Sequence, residues 1–329
     1  MKAIVYKRYG SPDVLQLTEL PKPAPKDNEI LIRTQATTVT AGDWRVRSLA
    51  MPAGFRIISR LVLGVFGPRQ PLLGSELAGD VESVGGDVRK FKVGDAVVGF
   101  TGASLGCYAE YKCMPEDGGV ALKPANLSYD EAAALSSGGT TALSFYRKGK
   151  LQRGEKVLVN GASGGVGTAA VQLARHFGAD VTGVCSAGNA ELVRSLGANR
   201  IIDYTKEDFT RNGETYDVII DTAGTARYSR SRNSLKENGR LLIVLGGLAD
   251  MLEMPWVLLT SGKKIVAGPA SWRAEDVGFL AQLAAAGEFK PVIDRRYPFE
   301  QMVEAHRYVD AGHKKGNVVI TLTPSKRSA

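Results

Sequence analysis

The chain has 329 residues, of which 44% are hydrophobic and 23% charged, with a formal net charge of +8. This length allows two domains, and the composition is that of a globular protein rather than a disordered or fibrous one. The 42 basic and 34 acidic residues are interspersed, so no nucleic-acid partner is predicted. The apolar runs fall far short of the roughly 20 residues that cross a bilayer, so no integral membrane span is predicted.

The cysteine content and the N-terminal residues bear on the compartment. Cys107, Cys113 and Cys185 form an odd set without metal-ligand spacing or a disulfide framework, which is typical of a reducing compartment. The first residues lack the apolar stretch of a signal peptide. A cytoplasmic location is therefore predicted.

The pattern of elements changes near residue 125. Residues 1–124 hold short β-type runs between Gly and Pro turns, which indicate a β-rich domain. From 125 a helical stretch is followed by alternating strands and helices, which predict a parallel sheet of βαβ units. The last portion, 275–329, is expected to return to the first domain. Its polar tail after Leu322 is expected to be frayed.

The predicted fold class is α/β, with a discontinuous β-rich domain (1–124 and 275–329) and a doubly wound domain (125–274). Six strands are predicted in the second domain, as a complete Rossmann sheet requires. They are 156–160, 180–185, 200–204, 217–221, 240–245 and 264–268.

A dinucleotide site is predicted where the first of these strands ends. A glycine-rich turn, a helix and a second strand follow, which is the context of the Rossmann fingerprint. Ala162, Gly164 and Gly167 occupy its G-x-G-x-x-G positions, with alanine in place of the first glycine. Gly164 would let the backbone approach the pyrophosphate, and Gly167 would allow close packing of the helix. The predicted phosphate-binding residues are Gly161, Ala162, Ser163, Gly164, Gly165, Val166 and Gly167.

The choice of cofactor depends on the end of the second strand, where NAD enzymes place Asp or Glu on the ribose 2′-hydroxyl. Residues 185–189 contain no carboxylate, which favours NADP(H). Ser186, Asn189, and Tyr204 with Lys206 are candidate donors to the 2′-phosphate. The alternative is that they are ordinary loop residues, since no arginine stands there.

Two later strand ends are also predicted to reach the cofactor, because ligands of open α/β sheets bind beyond the carboxyl ends of the strands. They are Asp221 to Gly224 and Leu245 to Gly247, which supply the predicted cofactor-binding residues Thr222, Ala223, Leu245 and Gly246. The alternative is that both are tight turns from strand to helix.

The chain resembles the zinc-independent quinone oxidoreductase branch of the medium-chain dehydrogenase/reductase family over essentially its whole length. The matching stretches are MKAIVYKRYGSPDVLQL, TVTAGDWRVR, LLGSELAGDVESVGGDVRKFKVGDAVVGF, GASGGVG with AVQLARHFGA, LVRSLGANRIIDYTKEDF and the closing KKGNVVITL. The resemblance implies a GroES-like first domain, a Rossmann second domain, a homodimer and a small electrophilic acceptor as substrate. Asn317, in the closing stretch, is taken as a further cofactor-binding residue.

The ligands of the zinc-containing relatives are missing. Those enzymes use a Cys, a His-Glu pair and a second Cys or equivalent, and a tetrahedral site needs three such ligands. The corresponding positions here are Thr40, Ser75 with Glu76, and residues 136–139. No metal is predicted. The three histidines are expected at the surface.

Hydride addition to an electrophile is easier than alcohol oxidation when no Lewis acid is present. The resemblance accordingly implies NADPH-dependent reduction of quinones or α,β-unsaturated carbonyls. Asp43 and Arg47 match the active-site segment of the family, and Arg47 is the candidate to stabilise a developing anion. An Asp43–Arg47 ion pair that only shapes the loop is the alternative.

Two other functions remain open. A non-catalytic NADPH-binding or sensor protein would share the fold, and an alcohol dehydrogenase is opposed by the missing ligands.

Residues 51–74 form an apolar segment without an acidic residue. A lipophilic substrate or a membrane surface would explain it, as would a helix packed on its domain or at a dimer contact.

Overall fold

The computed structural model describes residues 1–322, so the predicted frayed tail lies outside the described residues. The strands are β1 Lys2–Tyr6, β2 Leu15–Glu19, β3 Glu29–Val39, β4 Glu76–Val84, β5 Ala96–Phe100, β6 Tyr111–Pro115, β7 Gly119–Leu122, β8 Lys156–Asn160, β9 Asp180–Cys185, β10 Arg200–Asp203, β11 Tyr216–Asp221, β12 Leu235–Ile243, β13 Lys264–Ala267, β14 Ile293–Pro298 and β15 Asn317–Thr321. The helices are α1 Ala41–Ser48, α2 Arg56–Leu63, α3 Tyr129–Ala133, α4 Ser136–Gly149, α5 Gly165–His176, α6 Ala190–Ser195, α7 Tyr228–Ser231, α8 Leu248–Ser261, α9 Ala274–Ala285 and α10 Met302–Asp310.

The chain divides into two compact units. The first holds Met1–Met51, Arg56–Ser137 and the chain from Arg273 onward, and the second holds Pro52–Phe55 and Gly138–Trp272. This division differs from the predicted one at three places: residues 125–137 and 273–274 belong to the first unit, and residues 52–55 belong to the second.

Hydrogen bonds explain why residues 125–137 pack in the first unit. The Tyr129 hydroxyl donates to Asp80 on β4, and the Asn126 amide donates to the Ala284 carbonyl of α9 over 2.9 Å. The predicted single helical stretch is two helices, because Ser128 and Glu131 form a capping box at the start of α3 and a separate helix, α4, follows.

The first unit is built on a seven-stranded sheet. Its strand order is β14-β15-β3-β4-β5-β7, with β6 also paired to β3, and β1 and β2 form a separate antiparallel pair. β15 runs antiparallel to β3, with Val318 opposite Val39, so the C-terminal segment completes this sheet. Two apolar clusters fill the unit, one around Leu73 and Tyr108 and one around Ile32.

The second unit is a six-stranded parallel sheet in the order β10-β9-β8-β11-β12-β13. Residues 157–160 of β8 are all buried, as expected for a parallel strand covered on both faces. The predicted α/β class, with a GroES-like domain and a Rossmann sheet, is confirmed.

β12 differs from the predicted strand 240–245: it begins at Leu235, and its pairing with β11 shifts register before Arg240. The polar residues there concealed this strand from a search for apolar runs.

The order of strands reverses between β8 and β11, since the chain goes from β8 outward to β10 and then returns to β11. Such a switch point creates the crevice in which doubly wound sheets bind ligands. No helix within residues 1–322 is long and apolar enough to cross a membrane.

Candidate dinucleotide site

The turn after β8 is held in a sharply defined conformation. Gly161 has φ +82, which favours glycine. The amides of Gly161 and Ala162 donate to the Val184 carbonyl of β9 over 3.2 and 3.0 Å, and the Gly164 amide donates to the Gly161 carbonyl over 3.1 Å. The residue that makes the tight turn is therefore Gly161, whereas the fingerprint alignment had given the first position to Ala162.

Gly164 and Gly167 are required for different reasons. A Cβ at Gly167 would lie 2.0 Å from the Gly161 carbonyl oxygen, so α5 can approach β8 this closely only at a glycine. A Cβ at Gly164 would have that oxygen as its nearest neighbour, at 3.6 Å. Space therefore exists above Gly164, where a pyrophosphate would lie.

The start of α5 provides donors for an anion. Gly164 is the N-cap residue and supplies no side-chain cap. The amides of Gly165, Val166 and Gly167 have no acceptor within the helix, because the first turn of any α-helix leaves its N–H groups unpaired. With the positive end of the helix dipole they form a suitable phosphate site.

The predicted residues after β9 and β10 lie next to the glycine turn. The side-chain amide of Asn189 donates to the Ser163 hydroxyl over 3.1 Å. Ser186 precedes a single 3₁₀ turn that ends at Asn189. The Tyr204 amide donates to the Cys185 carbonyl over 3.3 Å, and the Tyr204 side chain is 64% exposed. These side chains are available to a ligand at this edge.

Asp203 is a residue of this edge that the sequence analysis missed. It pairs with Cys185 in the parallel register, and its carboxylate accepts from the Thr205 amide and hydroxyl over 3.1 and 2.8 Å. The Thr205 hydrogen bonds lower the pKa of Asp203, so the carboxylate is ionised at neutral pH. Residues 185–189 contain no carboxylate, but β10 supplies one beside the end of β9.

Asn160, which the sequence analysis missed, and Asp221, the first residue of the predicted strand end, fix the loop after β11. Both are buried. The side-chain amide of Asn160 donates to the Asp221 carboxylate over 2.9 Å. That carboxylate also accepts from the backbone amides of Ala223 and Gly224 over 3.1 and 3.0 Å. One carboxylate at a strand end thus orders the whole following loop.

The predicted residues Thr222 and Ala223 therefore lie at the glycine turn. The Thr222 hydroxyl donates to the carbonyls of Asn160 and Gly161 over 2.8 and 3.1 Å. A Cβ at Gly161 would lie 3.1 Å from the Ala223 Cβ. The carboxyl ends of β8 and β11 thus form one continuous surface.

The loop after β12 joins this surface. The Leu245 side chain lies beside Gly224, where a Cβ would be 3.7 Å from Leu245 Cδ1. A Cβ at Gly246 would be 2.8 Å from the Ala267 Cβ, so the backbone there needs glycine. The cofactor residues predicted within the second unit are therefore brought together by its strand ends.

Asn317 belongs to the first unit. It begins β15, and its amide donates to the carbonyls of Ala134 and Val292 over 3.4 and 3.1 Å. Both donor positions thus have backbone partners in the same unit. These contacts favour a structural role over the predicted contact with the cofactor.

Asp43 and Arg47, the predicted catalytic residues, also have structural partners. Asp43 forms a capping box with Thr40 at the start of α1 and accepts from the Gly74 amide over 3.0 Å. Arg47 is fully buried and bonds to Asp310 of α10 over 2.5 Å. The pairing that the structure shows is Arg47–Asp310 rather than Asp43–Arg47, and a fully buried guanidinium is poorly placed to meet a substrate.

His306 corrects the expectation that all histidines lie at the surface. It is fully buried on α10, and its Nε2 lies 3.1 Å from the Tyr108 hydroxyl. Burial, together with the charge of Arg47, lowers the pKa of His306 to about 3. The imidazole is therefore neutral and belongs to a buried polar network around Arg47.

We expect Arg47→Met to destabilise the protein by about 3 kcal/mol, because removing one partner leaves Asp310 without its counter-charge. Arg47→Met with Asp310→Asn should lose less, since no unpaired charge remains. Urea denaturation measures both losses. A fully stable Arg47→Met protein with a strongly reduced turnover rate would instead support the catalytic assignment.

The residues at the zinc-ligand positions do not fit a zinc ion. Thr40 and Ser75 offer neutral hydroxyls where thiolate and imidazole would be needed. Glu76 is buried, accepts from the Thr38 hydroxyl and the Ser137 amide, and burial raises its pKa to about 7. Within residues 1–322, no group of three or more His, Cys, Asp or Glu side chains is placed to hold a metal ion.

We expect purified protein to contain no stoichiometric zinc and to keep its activity after chelation, because these ligand positions lack thiolate and imidazole. Metal analysis by mass spectrometry, before and after dialysis against a chelator, measures this. One tightly bound zinc per chain that is lost together with activity would contradict the prediction.

Comparison with known families agrees with this architecture. Residues 26–125 match the alcohol dehydrogenase GroES-like domain, and residues 196–320 match the zinc-binding dehydrogenase family. The second match concerns the fold of this region, and the ligand positions Thr40 and Ser75 lie outside it.

Individual relatives match over the whole chain. A 2-methylene-furan-3-one reductase of Solanum lycopersicum is 34% identical, with 98% of this chain and 80% of that protein covered. The quinone oxidoreductase structure from Coxiella burnetii is 30% identical with a TM-score of 0.86, covering 98% of this chain and 99% of that one. The Escherichia coli quinone oxidoreductase, solved with NADPH, is 25% identical with a TM-score of 0.79, covering 98% and 100%. This chain belongs to the quinone oxidoreductase branch of the medium-chain dehydrogenase/reductase family.

Proposed function

We propose that the protein is an NADP(H)-dependent reductase that transfers hydride to a quinone or an α,β-unsaturated carbonyl without using zinc. The observation that carries the proposal is the glycine turn with open space above Gly164. It lies at the switch point of a complete six-stranded parallel sheet. Two of the relatives named above are a quinone oxidoreductase solved with NADPH and a 2-methylene-furan-3-one reductase, and the quinone and the furanone in their names are acceptors of the same electrophilic class.

The proposed binding role of each residue follows from its position. The amides of Gly165, Val166 and Gly167 would bind the pyrophosphate at the start of α5. Ser186, Asn189 and Tyr204 would lie at the adenosine ribose, beyond the ends of β9 and β10.

The loop after β11 would face the rest of the cofactor. Asp221 holds the amides of Ala223 and Gly224 inward, so Thr222 and Ala223 present a fixed surface rather than a mobile loop. Leu245 extends this surface with an apolar side chain that excludes water. When bound, the cofactor supplies a hydride from its nicotinamide C4.

The contribution of the protein to the reaction would be orientation and exclusion of water. A quinone or enone needs no metal to become electrophilic, so the neutral hydroxyls at the former ligand positions are compatible with its reduction. The acceptor takes up one hydride and one proton to give the product.

Weak preference for NADPH over NADH is part of the proposal. Neutral donors at Ser186, Asn189 and Tyr204 favour a 2′-phosphate, whereas the ionised Asp203 beside them opposes it. We also propose a homodimer and a cytoplasmic location, on the family resemblance and on the three free cysteines.

An acceptor screen tests this function. We expect steady loss of NADPH absorbance with a small benzoquinone and with methyl vinyl ketone, and little loss with saturated ketones. Turnover only with saturated ketones or alcohols would indicate an alcohol dehydrogenase. Tight NADPH binding without turnover of any acceptor would indicate a non-catalytic binding protein.

A further inference from the structure

The apolar side chains of α2 and of the turn after it face solvent. Ile57 is 77% exposed, Val62 is 62% exposed and Phe66 is fully exposed. The half-buried side chains of the helix are instead Ser59 and Leu63. This arrangement inverts the usual one, in which the apolar stripe of a helix faces the core.

These side chains form one surface. Along α2 the exposed residues recur at helical spacing, so they share a face that continues into the turn. We call this surface the α2 patch; it consists of Ile57, Ile58, Leu61, Val62, Val65 and Phe66.

The turn that presents Val65 and Phe66 is held by several hydrogen bonds. The Tyr9 hydroxyl donates to the Gly64 carbonyl over 3.0 Å, and the Arg60 guanidinium donates to the Val65 carbonyl over 3.0 Å. Gly64 has φ +129, and a Cβ there would lie 1.9 Å from the Gly67 carbonyl oxygen. These hydrogen bonds therefore hold the turn so that Val65 and Phe66 face solvent.

Positive charges surround the α2 patch. Arg56, Arg60 and Arg69 are all exposed, and residues 51–74 contain no Asp or Glu. The hydrogen bonds of Tyr9 to the Gly64 carbonyl and of Arg60 to the Val65 carbonyl place both side chains at the same turn; burial raises the pKa of Tyr9, and the charges of Arg60 and Arg69 oppose that rise. An apolar face whose own segment carries basic and no acidic residues is typical of a surface that lies in the headgroup region of anionic lipids.

A second copy of this chain fits the α2 patch less well. A two-fold contact brings the same patch of both subunits face to face. The arginines would then meet arginines, with no carboxylate in the segment to separate them.

We propose that the α2 patch docks this protein on an anionic phospholipid surface, with Phe66 and the aliphatic side chains entering the headgroup boundary and the arginines binding lipid phosphates. The docking does not depend on the proposed reductase activity. If that activity holds, docking would bring the enzyme to lipid-soluble quinones.

The test is cosedimentation of the full-length protein with phosphatidylcholine vesicles that contain or lack phosphatidylglycerol. We expect binding to the anionic vesicles that weakens with salt, and little binding to neutral vesicles. Arg56→Gln with Arg69→Gln should weaken binding about 25-fold, since each basic residue contributes about fivefold. Ile57→Ser with Leu61→Ser and Phe66→Ser should weaken it at least about tenfold.

A matched control uses the exposed apolar residues of α8, a helix that contains Asp250 and Glu253 and no basic residue. Leu252→Ser with Trp256→Ser should leave vesicle binding unchanged. Equal loss in this control, equal binding to neutral vesicles, or no binding at all would overturn the proposal. A shift in oligomeric mass caused by the α2 variants, measured by light scattering, would show that a second copy covers the patch and would also overturn it.

A measurement of enzyme activity in solution tests whether the docking is independent of the proposed reaction. NADPH oxidation with a water-soluble benzoquinone should be the same in the wild type and in all α2 and α8 variants. Vesicle binding without activity on any acceptor would reject the proposed function and leave the docking intact.

Discussion

Gly164→Val is expected to abolish dinucleotide binding while the protein stays folded. A Cβ at this position meets no protein atom closer than 3.6 Å, and φ −79 with ψ 176 is backbone that valine adopts. The branched side chain would occupy the space that the pyrophosphate needs. Losing two amide–phosphate hydrogen bonds of about 1.5 kcal/mol each alone lowers the affinity on the order of a hundredfold, and the overlap of the valine side chain with the pyrophosphate adds to that loss.

Gly167→Val is the matched control for Gly164→Val. Its Cβ would lie 2.0 Å from the Gly161 carbonyl oxygen, so α5 would have to move off β8 and the fold should be lost. NADPH titration by fluorescence, together with circular dichroism and thermal denaturation, separates the two effects. Unchanged NADPH affinity in folded Gly164→Val protein would refute this placement of the pyrophosphate.

Gly188→Arg is expected to raise the affinity for NADPH by about tenfold to a hundredfold, with little change for NADH. No described atom lies within 4 Å of a Cβ placed at Gly188, and its φ does not require glycine, so the loop should accept the side chain without strain. A charge-assisted contact to the 2′-phosphate contributes roughly 1.5 to 3 kcal/mol if well formed.

Gly188→Gln provides the neutral control, and it should change the affinity for NADPH only slightly. Asp203→Asn should raise the NADPH affinity on its own, since it removes the ionised carboxylate from this edge. Isothermal titration with both cofactors measures each effect. A wild type that prefers NADH, or an arginine that strengthens both cofactors equally, would show that this loop does not face the 2′-phosphate.

The parts of the site that the sequence predicts are the local ones. The buried strand β8, the glycine turn and the start of α5 follow one another in the chain, so their pattern identifies them without tertiary information. The same holds for the strand ends at Thr222 and Leu245, because parallel strands all place their carboxyl ends at one edge.

The missed residues depend on pairing between distant segments. Asp203 becomes a neighbour of residue 185 only through the register of β10 against β9. Arg47 acquires Asp310 as a partner 263 positions away, and no local pattern distinguishes that buried pair from a pair within one loop. For the same reason residues 185–189, taken alone, show no carboxylate at this edge.

Hydride transfer to an activated alkene is the central claim, and deuterium labelling tests it most directly. Methyl vinyl ketone would be reduced with NADPH that carries deuterium on one face or the other of nicotinamide C4, and the product examined by mass spectrometry and NMR. We expect butanone with one deuterium on the former β-carbon, from only one of the two labelled cofactors, since the protein would present one face of the nicotinamide. Deuterium on the carbonyl carbon of an alcohol product, or no consumption of NADPH, would contradict it.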